Sequence, residues 1–263
     1  MLHRIVSWNE WRRLVGVRSA LDWLLIRAGK RLGIAEPERW RVRPRQVQHV
    51  LTARLRESSD MSVFHQVFVG EEYSSLRDLK NVSVVLDLGA NVGFSSAYFL
   101  SCFPNSRVVA VEPDERNLAV CRTNLMAYGN RVLLLHGAAW GEHMRLRLWR
   151  GSSGDWFEWA TQVSEPPDGS VGYVEAWDVG SLIDMAGSTE VDLLKVDIER
   201  AELAVFGDTA RRWLPRIRNI CIELHGPDCQ EAFFHALADF DYEMQRSGEL
   251  TICRNLRVKT PTC

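Results

Sequence analysis

"VVLDLGANVGFSS" (residues 84–96) decides the fold. A run of apolar β-formers stops at an acid, Asp87, and the chain then turns through Gly89 and Gly93 into a segment free of helix breakers. The apolar run reads as a strand and the segment beyond the turn as a helix. The two glycines permit a tight turn and close approach of a ligand to the backbone. The first turn of the helix then offers unpaired N–H groups to an anion.

Downstream, similar apolar runs alternate with helical segments. Strands are predicted at 82–88, 107–113 and 131–140, with helices near 93–102 and 114–127 between them. An antiparallel pair comes next, from "RLRLWR" and "VGYVEAWDV", then a strand at 191–199, a helix near 200–213 and a strand at 219–226. "YEMQRS" and "LTICRNL" around Gly248 read as a closing hairpin. Strands alternating with crossover helices imply an α/β, doubly wound, mostly parallel sheet.

Upstream the composition changes. Residues 1–56 hold 13 Lys and Arg against 4 Asp and Glu, and the remainder holds 19 against 30. Residues 8–32 place Trp11, Leu14, Val15, Leu21 and Leu25 near helical spacing with arginines between them, an amphipathic pattern. The chain is therefore divided into a basic N-terminal helical extension (1–60) and a main domain (61–263). The favoured reading of the extension is a helix docked on its own domain. Contact with an anionic membrane surface is second, and nucleic acid is not favoured. With 46% hydrophobic and 25% charged residues, the 263-residue chain can bury one full core. It has no long uninterrupted apolar run and no secretion-signal order, so a cytoplasmic location is expected, peripheral at a membrane at most. Six cysteines without CxxC pairs or regular spacing indicate neither a zinc site nor a disulfide framework. The oligomeric state is left open.

In a doubly wound sheet the ligand lies at the carboxyl ends of the strands, near the point where strand order reverses. The residues there are Asp87, Glu112, Asp197 with Glu199, and Glu223 with His225. A dinucleotide fingerprint would be G-x-G-x-x-G, whereas this chain has Gly-Ala-Asn-Val-Gly behind a carboxylate. Asp87 would repel a pyrophosphate but suits an ammonium. S-adenosylmethionine carries an ammonium, a carboxylate and a ribose together. Glu112 is placed to accept hydrogen bonds from two vicinal ribose hydroxyls, a device that nicotinamide enzymes share. The competing reading of Asp87 is a cap on the next helix.

Three motifs in order, "LDLGANVGFSS", "VVAVEPDERNLAVCRTNL" and "VDLLKVDIERAELAVF", with "IELHG" after them, resemble the class I S-adenosylmethionine-dependent methyltransferases and, among these, the FkbM family. The likeness spans roughly residues 64–256. It implies a Rossmann-like, seven-stranded sheet and O-methyl transfer to a hydroxyl of a sugar, glycan or small natural-product acceptor. Carried over by position, Asp87, Gly89, Asn91 and Gly93 would hold the methionine part of the cofactor, and Glu112 its ribose. Gly137 and Ala138 would lie along the adenine, although close packing explains such small residues equally well. Arg200 departs from the glycine usual in this motif, which brings bulk and charge towards the acceptor.

Removing the hydroxyl's proton needs a base. His225 is the first choice because its intrinsic pKa is nearest neutrality, and it predicts an acid limb around pH 6 to 7. Asp197 is second, with Glu199 and Glu223 beside them. The same groups offer ligands for a divalent ion, against which the absence of a compact motif such as HExxH weighs. Residues 151–170 carry Trp156, Phe157 and Trp159, which would either stack on an acceptor or pack on the protein. The alternative function is a non-catalytic binding or adaptor module that uses the basic arm.

Overall fold

The computed structural model describes residues 8–34, 37–56, 58–149 and 170–260. The segment holding Trp156, Phe157 and Trp159 lies outside these. Seven strands form the central sheet: β1 (Val84–Leu88), β2 (Arg107–Glu112), β3 (Val132–His136), β4 (Leu193–Val196), β5 (Ile220–Glu223), β6 (Phe240–Ser247) and β7 (Leu250–Val258). Their order is β6-β7-β5-β4-β1-β2-β3. Strands β3 to β5 in this row run parallel, and β7 and β6 close the sheet antiparallel as the expected hairpin. The chain winds outward from β1 to β3, then crosses back to place β4 on the other side of β1. The β1/β4 boundary is thus the switch point.

Alternation along the strands splits the core into two layers. Val85, Leu193 and Cys221 face one side, while Leu86, Leu194 and Ile222 face the other. The first layer is closed by the helix Phe94–Cys102, in which Phe94 through Leu100 are all buried. A helix apolar on every side needs cover on both, and the N-terminal arm supplies the second. Its rings continue into those of the main domain: Trp11 stacks 6.0 Å from Trp40, Trp40 meets Phe64 edge-on at 5.3 Å, and Phe64 meets Phe94 edge-on at 5.9 Å. Asn124, itself buried, stitches the arm to the glycine turn. It accepts from Thr52 N (2.7 Å) through Oδ1, and donates through Nδ2 to Thr52 O (3.0 Å) and Val92 O (2.8 Å).

Three local expectations are corrected. The extension is not wholly helical, because Arg39–Val42 and Leu51–Arg54 pair as antiparallel strands. In the first of these Trp40 and Val42 are buried and the intervening arginines exposed, a period of two. The strand expected at 131–140 stops at His136, and Ala138–Ala139 joins a separate three-stranded sheet with Met144–Trp149 and Ser170–Trp177. The helix expected over 200–213 shrinks to Glu202–Val205 with single turns at Ala210–Arg212 and Leu214–Arg216. Glu199 (φ 49°) and Arg200 (φ 76°) are left-handed immediately before it, and Pro215 interrupts the far end.

Candidate active site

The site is built where β1 and β4 end side by side. Gly89 has φ 77°, and a Cβ there would lie 1.8 Å from the carbonyl oxygen of Asp197. Only glycine permits that contact. Gly93 (φ 81°) starts the helix Phe94–Cys102, and a Cβ on it would lie 2.9 Å from Cys121 Sγ. Between them Asn91 is left-handed and donates its N–H to Glu112 Oε2 at 2.8 Å. Its side-chain Oδ1 is buried without a hydrogen-bond partner.

Glu112 ends β2. Its Oε1 accepts from Asp114 N (2.9 Å) and Asn117 Nδ2 (3.3 Å). Burial nevertheless pushes the carboxyl up to about 7, against the backbone hydrogen bonds from Asp114 and Asn91. A pKa raised by folding contributes stability that is complete below the unfolded value and is lost as pH climbs through the folded one. The cofactor-free wild type should therefore lose stability relative to Glu112→Gln between about pH 4.5 and 7. Melting curves of both proteins measured across that range check this, and a constant difference would refute it.

Asp87 is enclosed. Its Oδ2 accepts from Ser95 Oγ and Ser96 Oγ, each at 2.6 Å, which ties down the first turn of the helix. Lys195, its register partner on β4, places Nζ 3.2 Å from Oδ1. Lys195 also donates to Gly89 O (2.7 Å) and Leu88 O (3.3 Å), so the buried pair clamps the glycine turn from beneath. Burial opposes the lysine's charge, but Asp87 and then Asp197 outweigh it and raise its pKa.

Past the ends of β4 and β5 the chain gathers the second group. His225 Nδ1 lies 2.9 Å from Glu202 Oε1. Its Nε2 faces Glu199 at 3.6 Å, Glu223 at 3.7 Å and Asp197 at 3.8 Å. All four expected residues are thus brought together. Burial would lower the ring's pKa, but the Glu202 hydrogen bond, with the charges of Glu202, Glu199 and Asp197, lifts it to about 9. Its carboxylate neighbours therefore favour the protonated ring, and the acid limb expected from the reference value at pH 6 to 7 is displaced upward. Glu223 is pushed up to about 7 by burial and by Asp197.

Glu202 is the residue that sequence reasoning missed. It is fully buried and accepts from Ile198 N as well as meeting His225. Its place three residues after Glu199, just past the end of β4, was the available signal. Glu72 was missed too; burial raises its pKa, and Asp197 adds to this.

Arg200 has φ 76°, which explains why a glycine suits this position. Its guanidinium is turned to Asp228 (2.5 Å) and to His225 O (3.4 Å). Gly137 donates to Glu112 O at 3.2 Å, and a Cβ on it would lie 2.3 Å from Glu175 O. Ala138 is buried with Leu146, Val174 and Ala176. Both are thus closely packed in the unliganded protein.

A turn that only glycine can make, a buried orphan Oδ1 within it, a carboxylate at the end of β2 and the unpaired N–H groups of a helix start together fit S-adenosylmethionine. The family profile described as "Methyltransferase FkbM domain" matches residues 87–246. This chain belongs to the FkbM methyltransferase family. The FkbM chain is an S-adenosylmethionine-dependent methyltransferase. The AMB antimetabolite synthetase AmbE of Pseudomonas aeruginosa is 28% identical to it over 201 residues, 62% of this chain and 9% of that much longer protein. Among solved structures, a putative caffeoyl-CoA O-methyltransferase from Staphylococcus aureus matches with a TM-score of 0.46 and 11% identity, covering 75% of this chain and 90% of that one. A precorrin-6y C5,15-methyltransferase from Geobacter metallireducens matches with a TM-score of 0.45 and 13% identity, covering 80% and 94%.

Proposed function

We propose that this FkbM methyltransferase acts on a hydroxyl of a sugar, glycan or small natural-product acceptor. The observation that carries the reading is the contact of the Asp197 carbonyl with Gly89. It sets the cluster of Asp197, Glu199, Glu223 and His225 directly against the cofactor turn. S-adenosylmethionine supplies an electrophilic methyl carbon on a sulfonium. Held by the glycine turn and Glu112, it would give that methyl to the hydroxyl oxygen, the carbon–sulfur electron pair staying with sulfur. The hydroxyl proton passes to a carboxylate of the cluster. The protein's part is to align oxygen, carbon and sulfur and to hold the proton acceptor within reach.

The test is transfer of an isotopically labelled methyl group from S-adenosylmethionine to hydroxyl-bearing and amine-bearing acceptors in a cell extract. Label recovered in O-methyl products is the expected result. Label found on nitrogen or carbon alone would overturn the acceptor class. A rise in melting temperature with S-adenosylhomocysteine but no transfer would favour the adaptor module instead.

For location, we infer a cytoplasmic enzyme held at an anionic membrane surface by its arm. Among the described residues no helix is long and apolar enough to cross a membrane. The helix Trp8–Arg31 breaks at Gly16, and beyond the break it has two apolar faces. Trp23 and Ile26 pack inward. Val17, Leu21, Leu24, Leu25 and Leu32 face solvent, with Leu25 70% and Leu32 78% exposed. Val17, Leu21, Leu24 and Leu25 fall within one stripe of the helix, Leu32 follows just past its end, and the exposed Arg18, Arg27 and Arg31 flank it. Apolar stripes edged by arginine suit the headgroup boundary of anionic lipid. The protein should co-sediment with phosphatidylglycerol vesicles, not with phosphatidylcholine, and be released by salt. The double substitution Leu21→Ser/Leu25→Ser should abolish this. Equal sedimentation of the variant would refute the assignment.

A further inference from the structure

We infer that Asp197, Glu223 and His225 form a site for one divalent cation at the acceptor end of the sheet, an inference that rests on the O-methyl transfer reading and deepens it. Two carboxylate oxygens and one imidazole nitrogen lie within 4.8 Å of one another. Ligand atoms held about 2.1 Å from one ion stand roughly 3 to 3.5 Å apart. The 3.7 and 3.8 Å separations from Nε2 to Glu223 and Asp197 lie a few tenths of an ångström above that spacing, and the two carboxylate oxygens, within 4.8 Å of each other, would close further around the ion.

The ring is already fixed for the task. A metal-bound histidine characteristically gives its other nitrogen to a carboxylate, which sets its tautomer and orientation. Glu202 occupies that place on Nδ1 at 2.9 Å, and it is fully buried, with its second oxygen lacking a hydrogen-bond partner. Nε2 is left pointing at three carboxylates.

Charge leads to the same conclusion. Four carboxylates surround one imidazole, and even a protonated ring leaves a large negative excess. Lys195 lies 3.8 Å from Asp197 but is engaged by Asp87 and the turn carbonyls, and Arg200 is turned to Asp228. A dication in place of the Nε2 proton offsets that excess. The three side chains remain 20–33% exposed, so the mouth is open for acceptor oxygens to complete the coordination. Two carboxylates with one imidazole suit Mn2+ or Mg2+ better than a thiolate-seeking ion. No compact motif could have revealed the set, because its ligands come from the ends of two different strands.

The test is titration of the full chain, saturated with S-adenosylhomocysteine, with Mn2+, following free Mn2+ by electron paramagnetic resonance. One ion per chain is expected. Asp197→Asn/Glu223→Gln should weaken binding by at least about 100-fold and Glu202→Gln by about 10- to 100-fold, the usual effect of losing a ligand's supporting partner. Affinity for S-adenosylhomocysteine should be retained in both. If the double variant fails to hold S-adenosylhomocysteine, Glu223→Gln alone takes its place with the same expected loss of Mn2+. Absence of saturable Mn2+ binding, or unchanged affinity in the variant that still holds S-adenosylhomocysteine, would overturn the inference. Failure of the wild type to bind S-adenosylhomocysteine would strike the methyltransferase reading instead.

Discussion

Asp197→Asn lowers turnover by about 10²- to 10⁴-fold, the usual worth of a group positioned at the reacting hydroxyl, while binding of S-adenosylhomocysteine stays nearly unchanged. The separation arises from the two ends of the residue. Its carbonyl presses on Gly89 and survives the substitution, whereas its carboxylate faces Nε2 of His225 and the acceptor space. Lys195 keeps its partner in Asp87, so the clamp under the turn is preserved. His225→Ala is expected to show the same pattern, because the ring organises the three carboxylates that meet the hydroxyl. Single-turnover rates beside equilibrium binding of S-adenosylhomocysteine make the comparison. Full activity in both variants would remove the cluster from the chemistry.

Gly89→Ala has the opposite signature: cofactor binding is lost together with stability. A left-handed conformation costs an L-residue about 1 to 2 kcal/mol by itself. The added carbon would also sit 1.8 Å from the Asp197 carbonyl, which only separation of the ends of β1 and β4 can relieve. That separation opens the turn and pulls on Lys195, which holds the carbonyl of the same glycine. The total loss should reach about 3 kcal/mol or more, in the range reserved for backbone clashes and broken buried networks. Differential scanning calorimetry should show a melting temperature lower by about 10 °C. A variant that melts with the wild type and binds S-adenosylhomocysteine would show that the two strand ends are not locked together.

Much of this architecture was legible because buried parallel strands announce themselves as continuous apolar runs. "VVLDL" and "RVVAVE" needed no further context, and their strand-end acids could be placed with them. Interruptions imposed by distant partners were not legible. Gly137 ends β3 because Glu175 and Trp177 crowd it from another sheet, and the short helix after Arg200 is set by two left-handed residues whose side chains are charged. The paired strands of the arm had a visible period of two in "RWRV", masked by the stronger helical pattern before it. At the site, residue types and strand ends singled out His225, Asp197, Glu199 and Glu223, which the fold brings together. The upward shift of the His225 pKa is not legible in the sequence, because its neighbours come from separate chain segments and their summed charge exists only in the fold. Glu202 looked like an ordinary surface acid in "ERAELAV" for the same reason.

The pairing of Asp87 with Lys195 also governs how the chain can acquire its shape. The two residues are separated by more than a hundred positions along the chain, yet each is almost wholly shielded from water. As a ribosome delivers the chain, β1, β2 and β3 emerge with the helices that cover them, a set that already looks like half a domain. Until β4 arrives, however, its centre would contain a carboxylate with no cation, at a cost that favours water entry over collapse. The early half is therefore expected to wait, loosely structured, and to close only when residues 193–196 slide in beside β1. Long-range parallel pairing of this kind makes folding slow, and a nascent chain stalled before β4 should remain open to proteases.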